Sequence, residues 1–232
     1  MDAGFQIDYR FDFATGESRS FSFCLDRATL RMAPAELAAP PEWAVMSFHQ
    51  CPVCRLDPVE HPYCPIALNM AQIVEEFKEY LSFDEVTVTV TTEERTYVKQ
   101  TPVQFGLSPM LGIIMVSSGC PSMETLKPMV RFHLPFASLE ETVYRGISTY
   151  LISQLYRQRR GETVDWSLDG LPRLYAEVGE VNSAFAERLR AAARKDANIN
   201  ALVNLHCMGE MAPPSAESVL NSMENYFSAL TD

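Results

Sequence analysis

Two stretches near the start of the chain alternate apolar and polar residues with the period of a β-strand. The first runs from Phe5 to Phe13 and the second from Phe21 to Leu25. Two more follow at 85–92 and 95–99, separated by a Glu93–Glu94 turn. Because side chains two positions apart share one face of a strand, the pattern predicts two hairpins that form a small antiparallel sheet.

The remaining apolar residues recur every three or four positions, which is the period of a helix packed by one face. This spacing predicts a helix over residues 66–81 and a buried helix from about residue 105 to 116. Ser138 and Glu141 have the spacing of a capping box and begin a helix that continues to about Arg160. Further helices are predicted over 171–194, 196–211 and 215–230, the last two separated by Pro213 and Pro214.

These patterns indicate the α+β fold class and divide the chain at about residue 100. Residues 1–100 form an α+β unit in which the helix at 66–81 covers the apolar face of the sheet, with a cysteine-rich loop at 47–67. Residues 101–232 form a helical bundle. The two regions are expected to be either one continuous fold or two domains.

Composition narrows the possible functions. The chain has 232 residues, of which 47% are hydrophobic and 21% charged, as in an ordinary globular protein. Its formal net charge of −11 repels phosphate backbones, so a nucleic-acid partner is not expected. The densest basic patches lie at the ends of predicted helices, where cations offset the helix dipole: Arg157, Arg159, Arg160, Arg188, Arg190, Arg194 and Lys195.

The first residues have neither the basic nor the apolar region of a secretion signal, and no apolar run is long enough to span a membrane. We therefore expect a cytoplasmic protein with no membrane partner. In a reducing compartment the six cysteines are not a disulfide framework, which favours metal or redox chemistry for those that cluster.

Three of the six cysteines lie in one proline-rich loop. Cys51 and Cys54 are separated by two residues, a spacing that lets both sulfurs face one ion, and nine residues separate Cys54 from Cys64. We predict Cys120 as the fourth metal ligand, because it stands in a Cys-Pro pair like Cys51 and Cys64, with Gly119 before it to turn the chain. His61 and His49 are the alternative fourth ligands.

Zinc is the favoured metal, since three or four thiolates make the closed tetrahedral set of a structural zinc site. An iron–sulfur cluster is the alternative cofactor and requires Cys120. Two other interpretations are a redox C-x-x-C pair, disfavoured by Pro58 close after Cys54, and a nucleophilic Cys120 at the start of a helix. The other two cysteines, His133 and His206 are interpreted as packing residues.

The chain lacks the sequence motifs of the common nucleotide-binding, hydrolytic, zinc-protease and calcium-binding classes. This absence favours a role other than catalysis and leaves enzymatic activity open.

Four phrases, HQCPxC, HPYCP, SGCP and RFHLPF, occur in this order at residues 49–54, 61–65, 118–121 and 131–136. In them the chain resembles an uncharacterised family of bacterial proteins of similar length, for which no activity is known. The resemblance covers most of the chain and implies that Cys51, Cys54, Cys64 and Cys120 belong together and that the source is bacterial.

The sequence therefore predicts a metal-binding protein, with zinc or an iron–sulfur cluster, that has a binding or regulatory role. The alternative is an iron–sulfur or thiol redox protein that transfers electrons or senses oxidation. Long apolar-faced helices and a hairpin edge also predict a protein partner or a homo-oligomer.

Overall fold

The computed structural model of the chain describes residues 4–231, so the outermost ends of the predicted 1–100 and 101–232 regions lie outside the described residues. The alternating segments form the strands β1 (Phe5–Phe13), β2 (Ser18–Leu25), β3 (Glu85–Thr92) and β4 (Thr96–Pro102). They make one antiparallel sheet in the order β2-β1-β3-β4. The α+β class and both hairpins are confirmed.

One face of this sheet is buried and the other faces solvent. Strand β1 places Phe5, Ile7, Tyr9 and Phe11 on the buried face, as the alternation predicts. The two hairpins join because β1 also pairs with β3, with Tyr9 opposite Val90. Cross-strand contacts between aromatic and β-branched side chains therefore run across the centre of the sheet.

The helices follow in chain order, and their bounds are α1 (Pro65–Phe77), α2 (Val103–Ser117), α3 (Lys127–Arg131), α4 (Leu139–Arg159), α5 (Gly170–Ala192), α6 (Ala197–Met223) and α7 (Ser228–Thr231). The predicted helix over 66–81 ends earlier than expected, at Phe77. The capping box is present: Ser138 Oγ accepts from the Glu141 amide, and the Glu141 carboxylate accepts from the Ser138 amide.

Helix α2 lies directly against the sheet and is buried almost throughout. At Gly106 an added Cβ would stand 2.6 Å from Val88 Cγ2 and 2.9 Å from Phe11 Cε1, so only glycine permits this close approach. Residues of β1, α1, α2, α5 and α6 belong to one hydrophobic core that extends to both sides of position 100.

The prediction of two helices separated by Pro213 and Pro214 is wrong, because α6 continues through both prolines to Met223. A proline in a helix interior removes one backbone hydrogen bond and costs roughly 3 kcal/mol. The segment after the prolines is held by packing: Ala212 lies in a second apolar cluster with Val143 and Tyr175, against which Ala216 packs. Tertiary contacts thus outweigh the local preference.

No helix within residues 4–231 has both the length and the apolar character needed to cross a bilayer.

Candidate metal centre

The four cysteines predicted as ligands line one small cavity at the junction of the cysteine-rich loop, α1, the turn after α2, and α5. Cys51, Cys54, Cys64 and Cys120 all contribute to its wall, and its volume is about 20 Å³. A space of about 10–15 Å³ holds a single water molecule, so this cavity has the size of one small ion or water.

Cys51 and Cys54 are presented by one tight turn. The Cys54 amide donates to the Cys51 carbonyl at 3.0 Å, which closes the turn, and both residues line the cavity. Around it, Val45 forms an isolated β-bridge with Tyr63, and the Cys64 amide donates to the Ala44 carbonyl at 2.8 Å. These backbone bonds bring the start of the loop beside Cys64.

Cys64 and Cys120 lie where backbone amides favour a negative sulfur. Cys64 precedes α1, and burial raises its pKa, while the backbone amides of Ala67 and Ile66 oppose this shift. The amides of Ser122 and Met123 act in the same way on Cys120. Backbone N–H groups directed at sulfur are a common feature around metal-bound thiolates.

Gly119 turns the chain into Cys120, as the sequence predicts. Its φ of +87° lies in the left-handed region that favours glycine, and it comes directly after the end of α2. Cys120 is followed by turns and short helical segments before α3, so the alternative of a catalytic thiol at the start of a longer helix is not supported. Its side chain is 8% exposed.

Arg188 on α5 is buried, contrary to the prediction from the sequence. It was assigned to a basic patch at a helix end, yet it is only 2% exposed and lines the same cavity as the cysteines. Its guanidinium donates to the backbone carbonyls of Trp43, Val45 and Met46 at 2.6, 2.8 and 2.9 Å. The signal was its spacing of seven and three residues from Val181 and Phe185, which places it on the apolar face of α5.

The charge of Arg188 is not balanced by a carboxylate, since no acidic side chain within residues 4–231 forms an ion pair with it. Burial lowers the pKa of Arg188, and the neighbouring groups that oppose this shift are Cys64, Cys51 and Cys54. The thiols are therefore the groups that can supply negative charge next to this cation.

As free thiols, Cys51 and Cys120 are poor nucleophiles in this environment. Burial, followed by the other cysteines of the cavity, raises the pKa of Cys51 to about 12. Burial likewise raises the pKa of Cys120 to about 11. A free thiol with such a pKa is almost entirely protonated at neutral pH, which does not favour disulfide exchange.

The thiols surround the cavity without converging on one point. Among residues 4–231, no group of three or more His, Cys, Asp or Glu side chains already stands in an arrangement that could hold a metal ion. Cys54 Sγ instead lies 3.9 Å from Met46 Sδ.

The two alternative histidine ligands differ in position. His49 lines the cavity, in a left-handed conformation with φ of +43°, and is exposed. His61 is also exposed but does not contribute to the cavity wall. Of the two, His49 is the one near the thiols.

The residues interpreted as packing residues lie elsewhere. Cys24 and Cys207 are exposed free thiols. His133 accepts or donates a 2.6 Å hydrogen bond with the Tyr9 hydroxyl beside the sheet, and His206 lines a separate cleft. None of them lines the cysteine cavity.

Comparison with protein families matches residues 7–228 to a family described as a domain of unknown function, DUF6901. The chain belongs to the DUF6901 family. This confirms the expected membership of an uncharacterised family that covers most of the chain. No curated protein and no solved structure matches the DUF6901 chain.

Proposed function

We propose that this DUF6901 protein binds a metal ion through Cys51, Cys54, Cys64 and Cys120, and that the ion has a structural role. The observation that carries this proposal is the buried guanidinium of Arg188 beside four thiols. A buried cation without a counter-charge is costly. Four thiolates on a divalent ion leave a net charge of about −2, which Arg188 would balance in part.

Zinc is the proposed ion. The cavity of about 20 Å³ suits a single ion, whereas an iron–sulfur cluster adds several iron and sulfide atoms. Zinc accepts four thiolates in a closed tetrahedral site and undergoes no redox change. The zinc ion would hold the cysteine-rich loop against α1, α5 and the turn at Cys120. The loop would then keep one conformation for binding or regulation.

An iron–sulfur or thiol redox protein is the second candidate, and the all-sulfur donor set is the observation in its favour. The two candidates differ in colour, because a cluster absorbs at about 400 nm and a zinc site does not.

The proposed place of action is the cytoplasm, where unpaired thiols such as Cys24 and Cys207 stay reduced. The proposed partner is another protein or a second copy of this chain, and not nucleic acid, given the net charge of −11.

Single Cys→Ser variants test the ligand set. Cys51→Ser, Cys54→Ser, Cys64→Ser and Cys120→Ser should each lose most of the bound metal and unfold at a lower temperature. Cys24→Ser and Cys207→Ser, which change exposed thiols, are the matched controls and should keep the metal. Metal is measured by mass spectrometry of the purified protein, and unfolding by circular dichroism.

The same experiment decides the fourth ligand. If Cys120→Ser keeps full metal occupancy and His49→Ala loses it, a histidine completes the site, and a four-thiolate cluster is excluded. If all four cysteine variants bind as much metal as the controls, the proposed site is wrong.

A further inference from the structure

A large cleft lies away from the cysteines, between β4, α2, the start of α4 and α6. Its volume is about 590 Å³, within the range of roughly 300–1,000 Å³ typical of small-molecule sites. Most of its wall is apolar, with Ile113, Leu134 and Met208 among the contributing side chains. It shares no residue with the cysteine cavity.

The charges in this cleft have one sign. Lys99 and Arg145 contribute to its wall, and no aspartate or glutamate among residues 4–231 does. The protein as a whole has a net charge of −11, so the positive charge of this cleft is opposite in sign to the charge of the protein. Such a distribution is complementary to an anionic ligand.

Arg145 is the cation inside the cleft. Its Nη2 donates to the carbonyls of Met129 and Phe132 at 2.7 and 2.9 Å, which fixes the side chain. Within residues 4–231, neither Nη1 nor Nε of Arg145 has a protein acceptor, and no carboxylate forms an ion pair with this guanidinium. Burial lowers the pKa of Arg145, and the groups that oppose this shift are Tyr175, Glu141 and Tyr97.

The second cation is at the rim. Lys99 is exposed on β4, and its ammonium lies 5.6 Å from the centre of the Phe136 ring. Phe136 belongs to the segment between α3 and α4 that covers part of the cleft, and its φ is +61°. The rim therefore combines a positive charge with an aromatic surface.

His133 adds a polar group without adding charge. Burial, and then the charge of Arg145, lower the pKa of His133 to about 3, so the ring is neutral at physiological pH. The Tyr9 hydroxyl and Nε2 of His133 form a 2.6 Å hydrogen bond whose direction depends on the tautomer of the ring. The charged N–H donors of the cleft are therefore those of Arg145 and Lys99.

We propose that this cleft binds a small amphipathic carboxylate, with the carboxylate near Arg145 and the apolar chain among the aliphatic side chains. A planar guanidinium with two free N–H positions matches a carboxylate, and the apolar walls match a hydrocarbon chain. This proposal is independent of the metal site, because the two cavities have no residue in common.

Decanoate is a suitable probe, with decan-1-ol as its uncharged counterpart of the same chain length. Isothermal titration calorimetry of the full chain should give one decanoate site and a decanol affinity at least about tenfold weaker, the effect of one charge-assisted hydrogen bond. Lys99→Gln, on an exposed strand position, should fold normally and weaken decanoate binding. Arg145→Gln should weaken it further, by about tenfold or more.

Arg159→Gln is the matched control, because Arg159 is exposed near the end of the same helix and lies outside the cleft. It should leave decanoate affinity unchanged. Three results would overturn the proposal: no saturable decanoate binding, decanol binding as tight as decanoate, or an Arg159→Gln effect as large as that of Lys99→Gln. The decanol comparison uses the unmodified protein, so it decides the question even if Arg145→Gln does not fold.

Discussion

Replacing Arg188 with methionine removes the buried charge while keeping much of the side-chain volume. Arg188 makes three hydrogen bonds to backbone carbonyls and is 2% exposed, so the variant leaves these acceptors without their donor. Each buried carbonyl left without its donor costs about 1–3 kcal/mol, and removal of a buried charge that has no carboxylate partner offsets part of this sum, so a net loss of about 3–5 kcal/mol follows. We expect the free energy of unfolding to fall by roughly this amount, a large part of the 5–15 kcal/mol typical of a whole domain.

Urea unfolding followed by circular dichroism measures the effect, with Arg190→Met as the control. Arg190 is on the same helix but exposed, and pairs with Glu187 at the surface, so its loss should cost at most about 1 kcal/mol. Arg188→Lys restores a cation and should recover part of the stability. A loss below about 1 kcal/mol in Arg188→Met, equal to the control, would show that the buried guanidinium does not hold the loop.

Three further predictions concern other parts of the molecule. The pKa of His133 is about 3 in the fold, against about 6.5 when unfolded. The folded state is therefore fully stabilised by the neutral ring above pH 6.5, and the free energy of unfolding should fall as the pH is lowered from 6.5 to 3, by up to about 1.4 kcal/mol per pH unit. In urea unfolding, His133→Gln should reduce this dependence on pH. Gly106→Ala should lower the free energy of unfolding by about 1–3 kcal/mol, because the added Cβ would overlap Val88. Gly161→Ala is the comparison: its Cβ would meet no atom within 4 Å, so it measures only the cost of placing alanine in a glycine backbone conformation. Light scattering should give a mass above 26.1 kDa at high concentration, and a constant monomer mass would remove the proposed self-association.

The sequence predicts the local elements well because their signals are local. Strand β1 alternates over its whole length, and the capping box at Ser138 is a short-range pattern. The pairing of β1 with β3 is not encoded in this way, since more than seventy residues separate Ile7 from its partner Thr92. The continuity of α6 through its prolines likewise depends on packing against α4 and α5.

The candidate site shows the same division. The Cys-Pro pairs and Gly119 suggest that four cysteines lie together, and the fold places all four around one cavity. The burial of Arg188 depends on where α5 docks, because the helical pattern alone is compatible with a long side chain reaching solvent. The apolar cleft is formed by four elements distant in sequence, so no local motif marks it.

The metal content of protein purified without oxygen tests the central claim most directly. We predict about one zinc ion per chain and no absorbance at about 400 nm. A brown protein that contains iron and sulfide would show that the site holds an iron–sulfur cluster and not zinc. A colourless protein that contains no metal and takes up no zinc while its four thiols are reduced would contradict the account.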